Sequence, residues 1–173
     1  DDPAQSTVTV PIYTLTKSAT PDVTTVGETV TYEVDVTIPA GVISFDLTVL
    51  DQVPDGITFE SLTSVTCDQG GATCDPDLAT GDVLVAPASG YASGDDVAFF
   101  FGDQPTSALA ERVVTITYEA FVSDVAAANA TSTLSNSAAV YWNSSDVIVV
   151  DPTDAPDPSD FSNSSPSASD DVT

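Results

Sequence analysis

Apolar and polar residues alternate with a period of two along most of this chain, and no other property of the sequence limits the fold as strongly. In residues 28–38, ETVTYEVDVTI, every second residue from Val30 onward is apolar, and residues 113–122, VVTITYEAFV, repeat the pattern. Because the side chains of a strand alternate between its faces, both segments predict strands with one buried side. Further strands are predicted in residues 42–51, 81–86, 96–101, 134–142 and 146–150. No segment has sustained helical periodicity, so the sequence predicts an all-β fold, an antiparallel β-sandwich.

The two ends of the chain differ from the middle, which suggests three regions. Residues 1–12 include STVTVPI, an apolar strand interrupted by Pro11, and are interpreted as an N-terminal extension that can pair with a neighbouring subunit. Residues 13–150 are assigned to the sandwich. Residues 151–173 form an acidic tail rich in Pro and Ser, which is expected to be extended and to lie along neighbouring subunits. The chain begins at Asp1 without methionine, as expected for a mature form that has lost a signal peptide.

The charge balance excludes several functions. The 173 residues include 27 acidic and two basic side chains and no histidine, which gives a net charge of −25. Such a chain has no basic patch for nucleic acid and is repelled by anionic membranes, and no apolar run is long enough to insert into one. Self-repulsion on this scale is tolerated where salt screens it, so a saline or hypersaline source is expected.

A divalent-cation surface is the alternative reading of this charge. Acidic clusters occur near Asp75, Asp77 and Asp82 and at Asp95 and Asp96. Neither cluster has the spacing of a calcium loop, which favours a solvated acidic surface, and no metal or cofactor is expected.

Two cysteines lie seven positions apart in a short glycine-containing loop, CDQGGATC. Cys67 and Cys74 could close as a disulfide, which suits an oxidising extracellular compartment. A metal site is the alternative, but it would need further ligands, and the chain has no histidine and no third cysteine. The lack of histidine also excludes most hydrolase chemistry.

The only lysine, Lys17, falls on the apolar face of a predicted strand, and strand parity also points Asp51 and Asn136 into the core. Burial favours the neutral amine of Lys17 and the protonated acid of Asp51. A neutral amine can attack the Asn136 side-chain carbonyl, with the acid shuttling the proton, so that ammonia leaves and an isopeptide bond remains. The alternative is a buried Lys–Asp salt bridge beside a hydrogen-bonding Asn. Glu119 is a rival for the acid, because its face also carries Phe121.

Three segments containing these residues resemble a known family. Residues 16–36, TKSATPDVTTVGETVTYEVDV, residues 50–62, LDQVPDGITFESL, and residues 134–140, LSNSAAV, are similar in order and content to the repeat domain of prokaryotic surface proteins. That family overlaps with the fimbrial isopeptide-forming domains. The resemblance spans roughly residues 15–142 and implies an Ig-like sandwich, an extracellular location, and a stalk, pilus or adhesin role. The Asn-x-Gly that usually follows the second strand of the family is replaced here.

By the same resemblance, Lys17 is expected to be the nucleophile and Asn136 the acceptor. The sequence therefore predicts a structural subunit of a pilus-like extracellular filament, a homopolymer assembled head to tail by donor-strand exchange. It is not expected to be an enzyme beyond one self-cross-linking event.

Two alternative functions stay open. The first is an adhesin or carbohydrate-binding surface module, which predicts exposed aromatic side chains in a cleft. Because Phe99, Phe100 and Phe101 are consecutive, at least one of them is expected to face outward. The second is a surface-layer or shell lattice subunit. Glycans are also expected partners, because Asn129, Asn143 and Asn163 match the N-glycosylation sequon.

Overall fold

The structure is a computed structural model that describes residues 12–74, 78–88, 96–104, 110–124, 133–146 and 150–173. These ranges contain ten strands: β1 Thr14–Thr20, β2 Thr29–Ile38, β3 Ser44–Gln52, β4 Ile57–Asp68, β5 Leu84–Pro87, β6 Val97–Gln104, β7 Arg112–Val122, β8 Leu134–Asn143, β9 Asn163–Ser164 and β10 Ala168–Val172. Two single-turn 3-10 helices cover Thr80–Asp82 and Pro158–Asp160. No helix in the described ranges is long and apolar enough to cross a membrane.

The strands form two antiparallel sheets that pack face to face. One sheet has the order β1-β2-β7-β4, and the other has the order β10-β8-β3-β6-β5, with β9 paired to β8. The apolar faces of both sheets meet in one core, which is the arrangement that antiparallel strands with one wet face adopt. The predicted all-β sandwich is confirmed.

Strands β2 and β7 follow the predicted alternation along their whole length. They pair from Thr29↔Phe121 to Ile38↔Arg112, and their even-numbered residues are buried. The apolar members of this central pair are fully or almost fully inaccessible: Val30, Tyr32, Val34, Val36, Ile38, Val114, Ile116, Tyr118, Ala120 and Val122. The correct parity of these strands fixes which side chains face the opposite sheet.

Strand β3 departs from the predicted alternation at Asp46. Its backbone there adopts a positive φ of 52°, and the pairing with β6 and β8 shifts register between Ser44 and Thr48. A bulge of this kind adds one residue and reverses the side-chain parity. Leu47 and Val49 therefore face the core as predicted, whereas Ile43 is 50% exposed and Phe45 is only partly buried.

The C-terminal residues belong to the sandwich, which corrects the expectation that they lie along neighbouring subunits. β10 pairs with β8 of the same chain from Ala168↔Ala138 to Val172↔Leu134. The Asp170 carboxylate also accepts a 2.6 Å hydrogen bond from the amide of Ala19 on β1. Thus β10 closes the seam between the two sheets on the side of β1 and β8.

The opposite seam, between edge strands β4 and β5, is only partly closed. At the Val65 end of β4, the seam is covered by residues 78–83. The Thr80 hydroxyl in this segment accepts a 2.8 Å hydrogen bond from the amide of Val65. At the other end, a cavity of about 340 Å³ lies between the two sheets. Its lining is mainly apolar and comprises Thr58, Phe59, Val85, Ala86, Pro87, Asp96 and Val97.

Residues 1–11, most of the predicted N-terminal extension, lie outside the described residues, as does most of the predicted strand 146–150. Ile12, the first described residue, is 56% exposed. It precedes Tyr13, which is buried and whose hydroxyl lies 2.7 Å from the Ser44 hydroxyl.

Candidate isopeptide site

Three strands bring the predicted residues together inside the core. Lys17 projects from β1, while Asp51 and Asn136 project from β3 and β8 in the facing sheet. The Lys17 and Asp51 side chains have no solvent-accessible surface, and Asn136 is equally inaccessible. The inward parity predicted for all three residues is therefore confirmed.

The three side chains meet around the hydroxyl of a fourth residue, Tyr118 on β7. Lys17 Nζ forms an ion pair with Asp51 Oδ2 and donates to the Tyr118 hydroxyl at 3.1 Å. The Tyr118 hydroxyl donates to Asp51 Oδ2 at 2.9 Å, and Asn136 Nδ2 donates to the same hydroxyl at 2.7 Å. Lys17, Asp51 and Asn136 thus belong to one hydrogen-bonded cluster.

The surroundings of Lys17 favour its neutral amine more than water does. Burial lowers the pKa of the Lys17 ammonium, and the carboxylates of Asp51 and, more weakly, Asp170 offset part of this effect. Lys17 Nζ also lies 5.0 Å from the ring centroid of Tyr32 and 5.4 Å from that of Tyr118. Burial, followed by the nearby Asp51 charge, raises the pKa of the Tyr118 hydroxyl well above its usual value.

Two buried oxygen atoms of the cluster have no hydrogen-bond partner in the described structure. They are Asp51 Oδ1 and Asn136 Oδ1. Unsatisfied buried acceptors are costly and uncommon in folded proteins. Addition of an amine to the Asn136 amide would place negative charge on its Oδ1, and that charge would need donors directed at this oxygen to stabilise it.

Glu119 is excluded as the acid of this cluster. It lies on the opposite face of β7 from Tyr118, is exposed, and pairs across the sheet with Thr31 and Ser61. The burial expected from its neighbour Phe121 does not extend to it. Asp51 is the acid that contacts Lys17.

Tyr118 is the member of this cluster that sequence reasoning missed. The sequence places it correctly on the core face of β7, between Ile116 and Ala120. On that face a tyrosine looks like any other core aromatic, since it stacks on Tyr32 at 5.2 Å between ring centroids. The useful signal is that a buried tyrosine hydroxyl needs a polar partner, and the sequence offers few inward polar groups.

The predicted disulfide is confirmed. Cys67 and Cys74 are bonded at the end of β4, with Cα atoms 5.7 Å apart.

The acidic clusters do not form a metal site within the described ranges, where no group of three metal-binding side chains is found. Asp82 instead accepts a hydrogen bond from the amide of Ala79. Asp75, Asp77 and Asp95 lie outside the described residues.

The three sequons have different environments. Asn129 lies outside the described residues. Asn143 is 1% exposed, and its Nδ2 donates to Asp46 Oδ2 at 3.2 Å, so a glycan on this nitrogen is incompatible with the packing. Asn163 is half-buried, and its Nδ2 donates to the hydroxyls of Ser144 and Ser162 at 2.7 and 2.8 Å.

The aromatic run on β6 does not present a cleft of exposed rings. Phe99 is inaccessible, Phe101 is 8% exposed, and Phe100 is partly buried. Of the three side chains, the one that faces outward is therefore that of Phe100, and it does so only in part.

Solved structures with a similar sandwich include pilus proteins and the N-terminal domain of an adhesin from Streptococcus gordonii. The full-length major pilin SpaD from Corynebacterium diphtheriae is 17% identical, with a TM-score of 0.54, and the match covers 93% of this chain and 34% of the pilin. The pilus backbone protein RrgB from Streptococcus pneumoniae is 19% identical, with a TM-score of 0.56, and the match covers 76% of this chain and 31% of RrgB. The major pilin subunit BcpA from Bacillus cereus is 13% identical, with a TM-score of 0.52, over 93% and 40% of the two chains.

The sequence itself matches no protein-family model and no curated protein. At these identities the likeness is one of fold, and this chain spans about a third of the length of SpaD and RrgB.

Proposed function

We propose that this chain, which folds as a pilin-like sandwich, is a structural subunit of an extracellular, pilus-like filament and is stabilised by a Lys17–Asn136 isopeptide bond. The observation that carries the proposal is the solvent-free cluster in which Lys17, Asp51 and Asn136 meet. The protein performs this chemistry once, on itself, and does not turn over a substrate.

The cross-linking reaction uses groups that already belong to one hydrogen-bonded cluster. Transfer of a proton from the Lys17 ammonium to Asp51 leaves a neutral amine, which burial favours. Lys17 Nζ then attacks Asn136 Cγ, the Cγ–Nδ2 bond breaks, and Nδ2 leaves as ammonia after gaining one proton. The new amide joins β1 to β8, so tension applied to either strand passes through a covalent bond instead of through the hydrogen bonds of the sheets.

The open seam between β4 and β5 supports donor-strand assembly. Both are edge strands, each paired on one side only among the described residues, and the cavity between them is lined mainly by apolar side chains. Residues 7–12 of the chain are uncharged and alternate between Thr or Pro and Val or Ile. In a protein with a net charge of −25, this neutral segment can enter a neighbouring molecule without electrostatic repulsion. A second copy of this chain is therefore the proposed partner.

The position of the cavity suits a head-to-tail contact. Through the registers of β2 and β7, the start of β1 at Thr14 lies at the opposite end of the sandwich from Thr58, which lines the cavity. Residues 1–11 precede β1 and can reach at most about 40 Å when extended. A heterologous contact of this kind repeats without closing and produces a fibre.

The mass of the protein tests the cross-link. After the disulfide is reduced in denaturant, intact-mass analysis should show a monomer lighter by one ammonia, and Lys17→Ala should restore the full mass. Covalent multimers would place the bond between chains. An unmodified monomer would overturn the isopeptide and leave Lys17 and Asp51 as a buried ion pair.

Polymer formation tests the donor strand. Deletion of residues 2–11, or Val85→Arg inside the cavity, should abolish fibres seen by electron microscopy. Leu84→Arg, on the same strand but outside the cavity lining, should not. Fibres that form without residues 2–11 would contradict donor-strand exchange. Planar arrays or closed shells would favour the lattice alternative, and glycan binding without polymer would favour the adhesin.

A further inference from the structure

We infer that the Tyr118 hydroxyl is the proton relay of the cross-linking reaction, carrying a proton from Asp51 to the departing nitrogen of Asn136. The inference rests on the proposed isopeptide function and assigns a role to a residue outside the Lys–acid–Asn set. It follows from the hydrogen bonds that meet at this one oxygen atom.

The Tyr118 oxygen uses its full hydrogen-bonding capacity within the cluster. A phenol has one proton to donate and can accept two hydrogen bonds. Tyr118 donates to Asp51 Oδ2 at 2.9 Å and accepts from Lys17 Nζ at 3.1 Å and Asn136 Nδ2 at 2.7 Å. Each bond lies within or at the edge of the range in which proton transfer is efficient.

The relay bridges a gap that Asp51 does not bridge itself. In the described structure, Asp51 and Asn136 share no hydrogen bond, and the hydroxyl of Tyr118 is the atom that both contact. The leaving Nδ2 needs a proton, because an amide anion is a very poor leaving group. No solvent reaches the cluster to supply one, since Asp51, Tyr118 and Asn136 are all inaccessible.

The proton transfers balance. The neutral amine of Lys17 adds to Asn136 Cγ, and the electron pair of the carbonyl moves to Oδ1. Protonated Asp51 donates to the Tyr118 oxygen, which reverses that hydrogen bond, and addition of the amine gives Nδ2 a free lone pair. The Tyr118 proton then passes to Nδ2 while Tyr118 takes a proton from Asp51, and Asp51 takes one from Nζ. The carbonyl re-forms as the Cγ–Nδ2 bond breaks. The products are one secondary amide and one ammonia. Asp51 ends as a carboxylic acid and Tyr118 as a phenol, which are the forms that they had when the neutral amine added.

The electrostatics of the pocket suit this role. Burial raises the pKa of Tyr118 well above its usual value, so the hydroxyl keeps its proton at neutral pH. A phenol that stays neutral passes protons by exchange, receiving one as it gives one, and never leaves a phenolate buried beside Asp51.

The test compares two tyrosine-to-phenylalanine variants. Freshly translated wild-type protein, Tyr118→Phe and Tyr13→Phe are followed over time by intact mass. Tyr13→Phe is the matched control, because Tyr13 is also inaccessible and its hydroxyl lies 2.7 Å from Ser44, outside the cluster. Loss of ammonia should be slower by at least about 10²-fold in Tyr118→Phe, the size of a general acid–base contribution. It should be unchanged in Tyr13→Phe.

The outcomes separate the relay from the cross-link itself. A wild-type protein that loses ammonia alongside an equally fast, folded Tyr118→Phe would overturn the relay and leave the isopeptide intact. A wild-type protein that keeps its full mass would overturn both. Near-UV circular dichroism reports whether Tyr118→Phe folds. If it does not, a more acidic fluorotyrosine placed at position 118 alone preserves the ring and hydroxyl. It should change the rate and its pH profile, and an unchanged rate would contradict the relay.

Discussion

Lys17 has two ways to exist without water, as a neutral amine or as a cation paired with Asp51. The structure favours each form in a different way. Burial lowers the pKa of the Lys17 ammonium, whereas Asp51 and the ring faces of Tyr32 and Tyr118 stabilise its charge. A buried ion pair of this kind adds little to the stability of the fold as a whole, but removal of one partner leaves the other buried and unpaired. The cluster is therefore sensitive to single substitutions and more tolerant of paired ones.

This sensitivity can be measured in an Asn136→Ala background, in which no cross-link can form. Asp51→Asn should lower the free energy of unfolding by about 3 kcal/mol, because Lys17 loses its buried partner. Adding Lys17→Met should restore most of that loss, since an apolar side chain of similar length removes the unpaired charge. Urea denaturation of the single and double variants gives the coupling. Losses that simply add would show that the two residues do not interact.

The lowered pKa of Lys17 also predicts how stability depends on pH. Between the folded-state pKa of Lys17 and its ordinary value of about 10.4, the unfolded chain binds more protons than the folded one, so stability rises with pH. The stability of Asn136→Ala should thus rise with pH, by at most about 1.4 kcal/mol per pH unit, over the range below about 10.4 in which folded Lys17 has already lost its proton. The chain has no histidine, and both cysteines are bonded, so few other groups titrate there.

Asn136→Ala/Lys17→Met is the control for this measurement, because it retains every other titrating group. A pH slope that persists in the double variant would assign the effect elsewhere. Above pH 10 the raised pKa of Tyr118 acts in the opposite direction, so the comparison belongs below that value.

Among the elements, β10 completes the site from outside. It covers the seam beside β1 through the hydrogen bond between Asp170 and Ala19. Beyond the end of the strand, the amide of Thr24 donates to the Thr173 carbonyl, and the Thr173 amide donates to the Asp22 carbonyl, both at 3.0 Å. Val172, on the same strand, is 1% exposed. This strand therefore shields the Lys17 cluster from water as well as extending the sheet.

Two neighbouring aspartates on β10 allow this closure to be tested. Asp170→Asn should weaken the seam by about 1–2 kcal/mol, because a charge-assisted bond to a backbone amide becomes a neutral one. Asp171→Asn should have little effect, since Asp171 is exposed and faces away from the seam. Hydrogen exchange at the amide of Ala19 reports the opening directly. Equal exchange in the two variants would contradict a closing role for β10.

The elements also show how far the sequence predicts this fold. Period-two patterns place β2 and β7 correctly, because each buries an apolar face along its full length. The pattern fails before Leu47, because Asp46 adopts a positive φ and lies in a bulge. The alternation of apolar and polar residues carries no signal for a bulge. It also fails at β10, where ASDDV has a single apolar residue beyond Ala168 and pairs through its backbone.

The candidate site was predictable in part for a related reason. Lys17, Asp51 and Asn136 stand out as polar residues at inward positions. Tyr118 does not, because a tyrosine among Val114, Ile116 and Ala120 satisfies the apolar pattern. At Asn143 the sequence is misleading in the opposite direction. Its sequon suggests an exposed side chain, whereas the side chain is buried and its Nδ2 donates a hydrogen bond to Asp46.

For the whole molecule, the dominant force outside the core is repulsion among carboxylates. With a net charge of −25, folding brings like charges together, and salt shortens the range of this repulsion from about 10 Å at 0.1 M to about 3 Å at 1 M. The melting temperature, Tm, should therefore rise steeply between 0.1 and 1 M NaCl.

A less acidic variant separates screening from general salt effects. Asp55, Glu60, Glu111 and Glu119 are all exposed, and their replacement by the corresponding amides should flatten the dependence on NaCl. Calorimetry of the two proteins provides the comparison. The same slope in both would show that salt acts through the apolar surface instead.

The contact between Ala19 and Asp170 joins residues 151 positions apart. As a ribosome releases the chain in order, β1 is made first and must wait for β10 before its exposed edge and the lysine beside it are sealed. The intervening strands cannot complete the core alone, and non-local pairings of this kind form slowly. The chain should thus remain open, and its lysine unreacted, until synthesis has passed Val172. For the extracellular filament proposed above, this delay leaves time for the export of an unfolded chain that carries no cross-link.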